Sequence, residues 1–394
     1  MPYKTLAIAA TFVAVALPVI SASATSTTSV PAAPLVLATE TPTASPSPSP
    51  SPCDDSWRQI HFDDPVVRND LAGVTAPRPD EVWVVGDHQA TQGGSTRTLV
   101  KRWDGQQWLL EQSPTYPDRS TSLNGVDEGR GAVVAVGRRS TRWSSRPWAM
   151  HRVEGVWRAM EFSDPVPASS FSAVGTLSGR RAWAVGTRQA GPEREHYVLI
   201  ERWNGSTWRP TSVSVRGLLY GVHARRYDDV WAVGQTLRNG AVRTLTMHFN
   251  GRRWRIVPSP NESMGAHLLQ GVYATASNDA WAVGYRKTAT SGWQPFTMHW
   301  NGTAWRFIDV PNLEGDNSFL NAVSIHGGEV IAVGETYNQP LVVSWEAGVW
   351  QRLDMSSFRD QVRVLNDVEH APNGAVFAVG WGGEVVLYRP PPCP

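Results

Sequence analysis

The sequence predicts an all-β chain, a seven-bladed β-propeller whose N-terminal strand closes the last blade. Two observations carry this. A hydrophobic pair running into Val-Gly recurs seven times, ending at Gly86, Gly137, Gly186, Gly234, Gly284, Gly334 and Gly380, at spacings of 51, 49, 48, 50, 50 and 46 residues. A self-similar period of about 50 residues built from short apolar segments is the pattern of a propeller, one repeat to one blade. In addition, the seventh repeat lacks its last segment, and a matching phrase, Ser56-Trp57-Arg58-Gln59-Ile60, stands before the first repeat.

Blade five shows the elements in order. Leu269-Gln270-Gly271-Val272 reads as the first strand, Asn278-Asp279 as a turn, and Ala280-Trp281-Ala282-Val283-Gly284 as the second strand. Phe296-Thr297-Met298-His299-Trp300 is the third strand and Trp305-Arg306-Phe307-Ile308 the fourth. Asn301-Gly302 between them predicts a type I′ hairpin, which needs positive φ at both central residues. The blades are expected at about 70–112, 123–162, 171–213, 218–257, 268–308, 319–354 and 364–389, the last completed by 56–62. That closure removes two open sheet edges.

The ends of the chain read differently. Lys4, the apolar run Leu6 to Ile20 and the small-residue site Ala22-Ser23-Ala24 predict a signal peptide over 1–24, with no stable membrane span after cleavage. Residues 25–52 are rich in Ser, Thr and Pro and predict an extended linker, a spacer open to O-glycosylation. The chain is expected to be secreted, extracellular or cell-surface associated. The propeller then covers 53–394. Cys53 precedes the closing strand and Cys393 follows the third strand of blade seven, so the repeat sets them across a hairpin and predicts a disulfide. In the chain-entropy model such a bridge contributes on the order of 5 kcal/mol.

The blade phrase, Asp-Val-Trp-Ala-Val-Gly followed by His-Trp-Asn-Gly-x-x-Trp, resembles repeats of secreted bacterial propellers over about 340 residues. The Asn-Gly-x-x-Trp hairpin also looks like the Asp-box of sialidases, with its glycine one residue earlier. That resemblance implies shared architecture without the catalytic set. The three arginines, the Tyr-Glu pair and the acid Asp of a sialidase have no counterpart that can be placed, and no Arg-Ile-Pro phrase occurs. Kelch repeats would show paired glycines in the second strand, where this chain has Val-Gly, and the Trp-Asp ending of another propeller class does not recur from blade to blade, standing at Trp103-Asp104 where other blades have Trp203-Asn204 and Trp300-Asn301.

Function must then lie in what departs from the repeat. Of 19 tryptophans, 15 are periodic and read as packing between blades. Trp143, Trp148, Trp293 and Trp381 are not, and fall in or beside the loops joining second to third strands. Arg139, Arg142, Arg146 and Arg286 belong to a basic set in the same loops. Charge beside aromatic surface suits a glycan, a cell-wall polymer or an extracellular protein, bound by a monomer on its loop face. A net charge of +1 gives no argument for nucleic acid. No metal-ligand spacing, phosphate loop or Gly-x-Ser-x-Gly appears, so no cofactor or metal is expected, and His248 and His299 recur at one repeat position as structural residues. The alternative is a glycoside hydrolase or lyase at the channel mouth, with carboxyls drawn from Glu193, Glu262, Glu314 and Asp316.

Overall fold

Every repeat folds into one antiparallel four-stranded sheet in the computed structural model of the chain. The structure describes residues 56–60, 62, 68–89, 94–114, 116, 119–141, 144–164, 166–191, 195–262, 265–287, 292–310, 317–382 and 385–392. The predicted signal, linker and both cysteines lie outside these residues. The sheets span 68–110, 120–159, 169–210, 218–256, 266–308, 318–352 and 364–389. First strands contact one another in order around a ring, and that of blade seven meets that of blade one. Closure comes from Arg58–Ile60, which pairs with Val385–Arg389 in the register Arg58↔Tyr388, Gln59↔Leu387, Ile60↔Val386.

The Val-Gly phrase has a steric cause. In all seven blades the first strand carries a β-bulge, between Leu71/Gly73, Leu123/Gly125, Phe171/Ala173, Leu219/Gly221, Leu269/Gly271, Leu320/Ala322 and Leu365/Asp367. The residue before each bulge turns its carbonyl onto the facing glycine of the second strand. A Cβ on that glycine would stand only 1.8 to 2.1 Å from the carbonyl oxygen, from Asp70 O over Gly86 to Val364 O over Gly380. No side chain fits such a gap. The residues before each glycine are buried on both faces, because each blade is flanked by two others, and so they read as a continuous apolar run.

The periodic tryptophans form an aromatic ladder between blades. A second-strand ring meets the fourth-strand ring of the next blade edge-on: Trp83–Trp157 at 5.6 Å, Trp183–Trp254 at 5.3 Å, Trp231–Trp305 at 5.1 Å and Trp281–Trp350 at 5.5 Å between centroids. Third-strand rings lean on the fourth strand of their own blade, as in Trp203–Trp208 and Trp300–Trp305. Edge-to-face pairs contribute roughly 0.5–1.5 kcal/mol beyond the area they bury.

The predicted type I′ hairpin is corrected in four blades. Trp300 pairs with Trp305, which leaves four loop residues, and only Gly302 has positive φ, at +91°. Asn301 Oδ1 instead accepts the N–H groups of Thr303 and Ala304, both at 3.0 Å. Asn204, Asn250 and Asp104 do the same in their blades. The Asn or Asp is there to cap the loop with its own oxygen, and these bonds hold the Asp104 carboxyl below its usual range. True two-residue turns occur at Glu154-Gly155 and Ala347-Gly348, where both residues have positive φ.

Substituting a Val-Gly glycine should therefore be far costlier than its size suggests. Gly334→Ala places a methyl 1.9 Å from Phe319 O, and a loss of about 3 kcal/mol or more is expected. Gly327→Ala, at φ +59° with open space around it, should lose only about 1–2 kcal/mol of backbone strain. Urea denaturation compares the two, and equal losses would refute the steric account.

Candidate functional site

The bulges build the central channel. Each places one extra residue toward the axis: Ala72, Asn124, Ser172, Tyr220, Gln270, Asn321 and Asn366. These residues, with parts of the first strands below them, line a cavity of about 150 Å³. Three of the amides tie blade to blade. Asn124 Nδ2 donates to Phe171 O at 2.6 Å, Asn321 Nδ2 to Leu365 O at 2.9 Å and Asn366 Nδ2 to Leu71 O at 2.7 Å. Each carbonyl belongs to the residue that starts the neighbouring bulge.

Deeper in the channel the charged lining residues are all acids: Asp127, Asp367 and Glu369. Asp367 accepts the Val74 N–H at 3.0 Å and its neighbour's, Val368, at 2.9 Å, and Asp127 accepts the Thr176 N–H. Burial outweighs these bonds and pushes Asp127 and Asp367 up to about 7, and Glu369 well above its ordinary value. Tyr273 is raised first by the charge of Glu369 and then by burial. His223 stacks on Tyr273 at 4.1 Å, and its Nδ1 lies 3.1 Å from the Ala274 N–H it accepts. Burial pulls His223 down to about 4, so it is neutral there.

One constellation has the composition of a hydrolase triad. Ser324 Oγ lies 2.9 Å from His370 Nδ1, and His370 Nε2 lies 3.4 Å from Glu329 Oε2. Yet Ser324 is 0 % exposed and its oxygen accepts the His370 backbone N–H. Arg389 clasps Glu329 through two bonds of 2.7 and 2.6 Å. Although burial raises Glu329, Arg389 and His370 bring it down to about 2. The set is an inter-blade tether of blades six and seven, with no path to its hydroxyl. Similarly, His248 and His299 pair with Asp229 and Asp279 at 2.8 and 2.7 Å and lean on Trp231 and Trp281.

Among the described residues, those expected on the loop face from the sequence do not gather in one site. Trp148 is 2 % exposed, inside the third strand of blade two, opposite Gly137. Leu99, Leu199, Leu245, Phe296 and Leu341 occupy the same position, so Trp148 is a packing residue of the repeat and offers no face to a ligand. Arg139 stacks on Tyr116 at 4.7 Å and on Trp148 at 5.7 Å. Arg286 is consumed by Glu262 and Asp309. Arg146 is exposed, and Trp293 and Trp381 are half-buried, beside Lys287 and Arg363. Arg142 and Trp143 lie outside the described residues, as do Glu193, Glu314 and Asp316. The channel residues escape a search for aromatic outliers. Their signal is the variable place after the valine of each first strand, held by Thr75, Asp127, Gly175, His223, Tyr273, Ser324 and Glu369.

No protein-family model matches this chain, and no curated protein matches it. Solved structures are similar in fold. The YCF48 structure bound to D1 peptide superposes with a TM-score of 0.56 at 14 % identity, covering 87 % of this chain and 98 % of that one. The WD40 propeller domain of Doa1 gives 0.51 at 10 % identity, covering 85 % and 96 %. The extracellular domain of the hybrid two-component system BT3049 from B. thetaiotaomicron gives 0.53 at 10 % identity, covering 84 % and 41 %. At such identities the likeness concerns the propeller fold.

A buried carboxyl outside the channel makes a sharp prediction. Glu201 is 0 % exposed, packed toward blade two, and neither of its oxygens has a hydrogen-bond partner among the described residues. Other blades place Met150, Met247, Met298, Val343 and Leu387 there, and blade one places Lys101 with its ammonium 3.7 Å from the Phe62 ring centroid. Burial, helped by Asp164, pushes Glu201 from 4.5 to about 8. The folded state thus binds the proton more tightly than the unfolded one. Stability is full below the unfolded value and falls as pH rises toward about 8, by on the order of 4 kcal/mol. Glu201→Met should abolish that decline and stabilise the chain most above pH 8. Identical stability–pH curves for the two proteins would contradict the assignment.

Proposed function

We propose that this chain is a secreted binding module that holds a protein partner on its loop face and channel mouth. The observation that carries the reading is the bulge position. The scaffold repeats blade after blade, while the residue aimed at the axis changes from Ala72 to Asn124, Ser172, Tyr220 and Gln270. Varied chemistry on a fixed frame is how a scaffold carries recognition. A protein partner draws more support than a glycan or a cell-wall polymer. Sugar stacking needs open aromatic faces, and Trp148 is buried while Trp293 packs against Tyr285 and Phe319. The similar YCF48 structure has a peptide bound.

A second reading, the glycoside hydrolase or lyase, is supported by Glu369, an acid whose pKa burial raises well above its ordinary value, beside Tyr273 in the channel cavity. Binding of the full chain to panels of extracellular proteins and cell-wall polysaccharides separates the two. Protein binding weakened at least tenfold by Trp381→Ala together with Arg146→Glu is the expected result. Polysaccharide cleavage that Glu369→Gln abolishes would replace the binding reading with the enzymatic one.

The predicted export makes its own test. The mature chain should begin at or near Thr25, directly after Ala24, and mass spectrometry without reductant should find Cys53 joined to Cys393. Two free thiols in the exported protein would overturn the bridge.

A further inference from the structure

Blades four to six contribute an aromatic wall to the loop-face end of the channel, with one acid in it. Tyr285 follows Gly284 and meets Phe319 edge-on at 4.7 Å and Trp293 edge-on at 5.3 Å between centroids. Gln270 Nε2 donates to Tyr285 Oη at 3.1 Å, which ties that ring to the bulge residue of its own blade. Tyr220, the bulge residue of blade four, lies within electrostatic reach of Tyr285, and Tyr285 within reach of Glu335. Glu335 is the cross-strand partner of Phe319. Tyr220, Tyr285, Phe319 and Glu335 are all half-buried.

Glu335 makes no ion pair with any described residue, and its partial burial raises its pKa. A carboxylate withdrawn from water without a cation is a cost that an arriving cation removes. Aromatic π faces attract the same charge. Below the wall, the carboxyls of the channel lining, Asp127, Asp367 and Glu369, are pushed toward their neutral form by burial, and no lysine or arginine stands among the described lining residues. Lys287 sits 5.8 Å from the Trp293 ring, and Trp293 meets Tyr285 edge-on and buttresses it.

We propose that this wall is a docking pocket for a cationic side chain, a lysine or arginine presented by a protein partner. The proposal rests on the binding-module reading and names the chemistry of its partner. Charge complementarity chooses the occupant: an acid without an ion pair among the described residues, aromatic surface around it, and no lysine or arginine among the described residues that line the channel below.

The test uses the full chain and fluorescein-labelled dodecapeptides identical but for a central pair of arginines, lysines, glutamines or glutamates. The arginine and lysine peptides should bind at least tenfold more tightly than the glutamine peptide by fluorescence anisotropy. Glu335→Gln and Tyr285→Leu should each weaken them at least fivefold, while Glu335→Asp keeps part of the affinity. Unchanged melting curves for Glu335→Gln separate loss of the pocket from loss of the fold. Basic peptides that bind no better than the glutamine peptide, or an unaltered affinity in Glu335→Gln, would overturn the proposal. If the glutamate peptide binds best, and Arg146→Glu abolishes it, the binding module stands while the cation pocket falls.

Discussion

The structure depends on one close approach, a first-strand carbonyl lodged against a second-strand glycine, made once in every blade. The contact is possible only where the second strand has no side chain, since a Cβ would meet the oxygen at about 2 Å. It accompanies the bulge, and the bulge turns a residue out of the sheet and toward the axis. The same feature therefore explains the periodic glycines and the lining of the channel. A propeller without these bulges would present seven regular edges to its axis, whose backbone groups would need other partners. Here the neighbouring Asn124, Asn321 and Asn366 supply them.

Packing between blades follows from this geometry. Small residues let first strands come together at the axis: a Cβ on Gly73 or Gly271 would stand 3.0 Å from the Cα of Gly125 or Ala322 in the next blade. Away from the axis the blades diverge, and larger groups fill the widening gap, ending in the edge-on tryptophan pairs. Small residues at the centre and indoles outside are thus two consequences of radial geometry. Blade seven replaces the small residue with Asp367, and its carboxylate bonds to Val74 of blade one. With Arg58–Ile60 on its outer edge and the Glu329–Arg389 clasp toward blade six, the blade that closes the ring is held on every side.

The architecture is legible because packing repeats, and a repeat survives in a sequence as a period. Blade number, strand order and the closing strand can all be read from the Val-Gly and Asn-Gly phrases. The turn type cannot, because Asn301-Gly302 is compatible both with a type I′ turn and with a loop capped by the Asn oxygen, and only the register Trp300↔Trp305 distinguishes them. Trp148 misleads for a related reason. A tryptophan where most blades have leucine looks like an insertion until strand pairing places it opposite Gly137. The channel residues are visible as letters but not as neighbours. Asp127 and Glu369 lie 242 positions apart and meet only because the ring closes.

That closure decides where specificity can reside. A residue facing a neighbouring blade is constrained on both sides by rings and strands that every other blade also needs, so its replacement is felt as stability, as with Glu201 and Lys101. A residue on a bulge faces the axis, and where it makes no bond to the next blade it can change without disturbing the sheets. Tyr220 and Gln270 occupy that position, where Asn321 and Asn366 are committed to holding adjacent blades together. The blades four and five side of the mouth is therefore released from a structural duty that blades six and seven retain. It is the same side that carries Tyr285 and Phe319, the wall proposed above to receive a partner's cation.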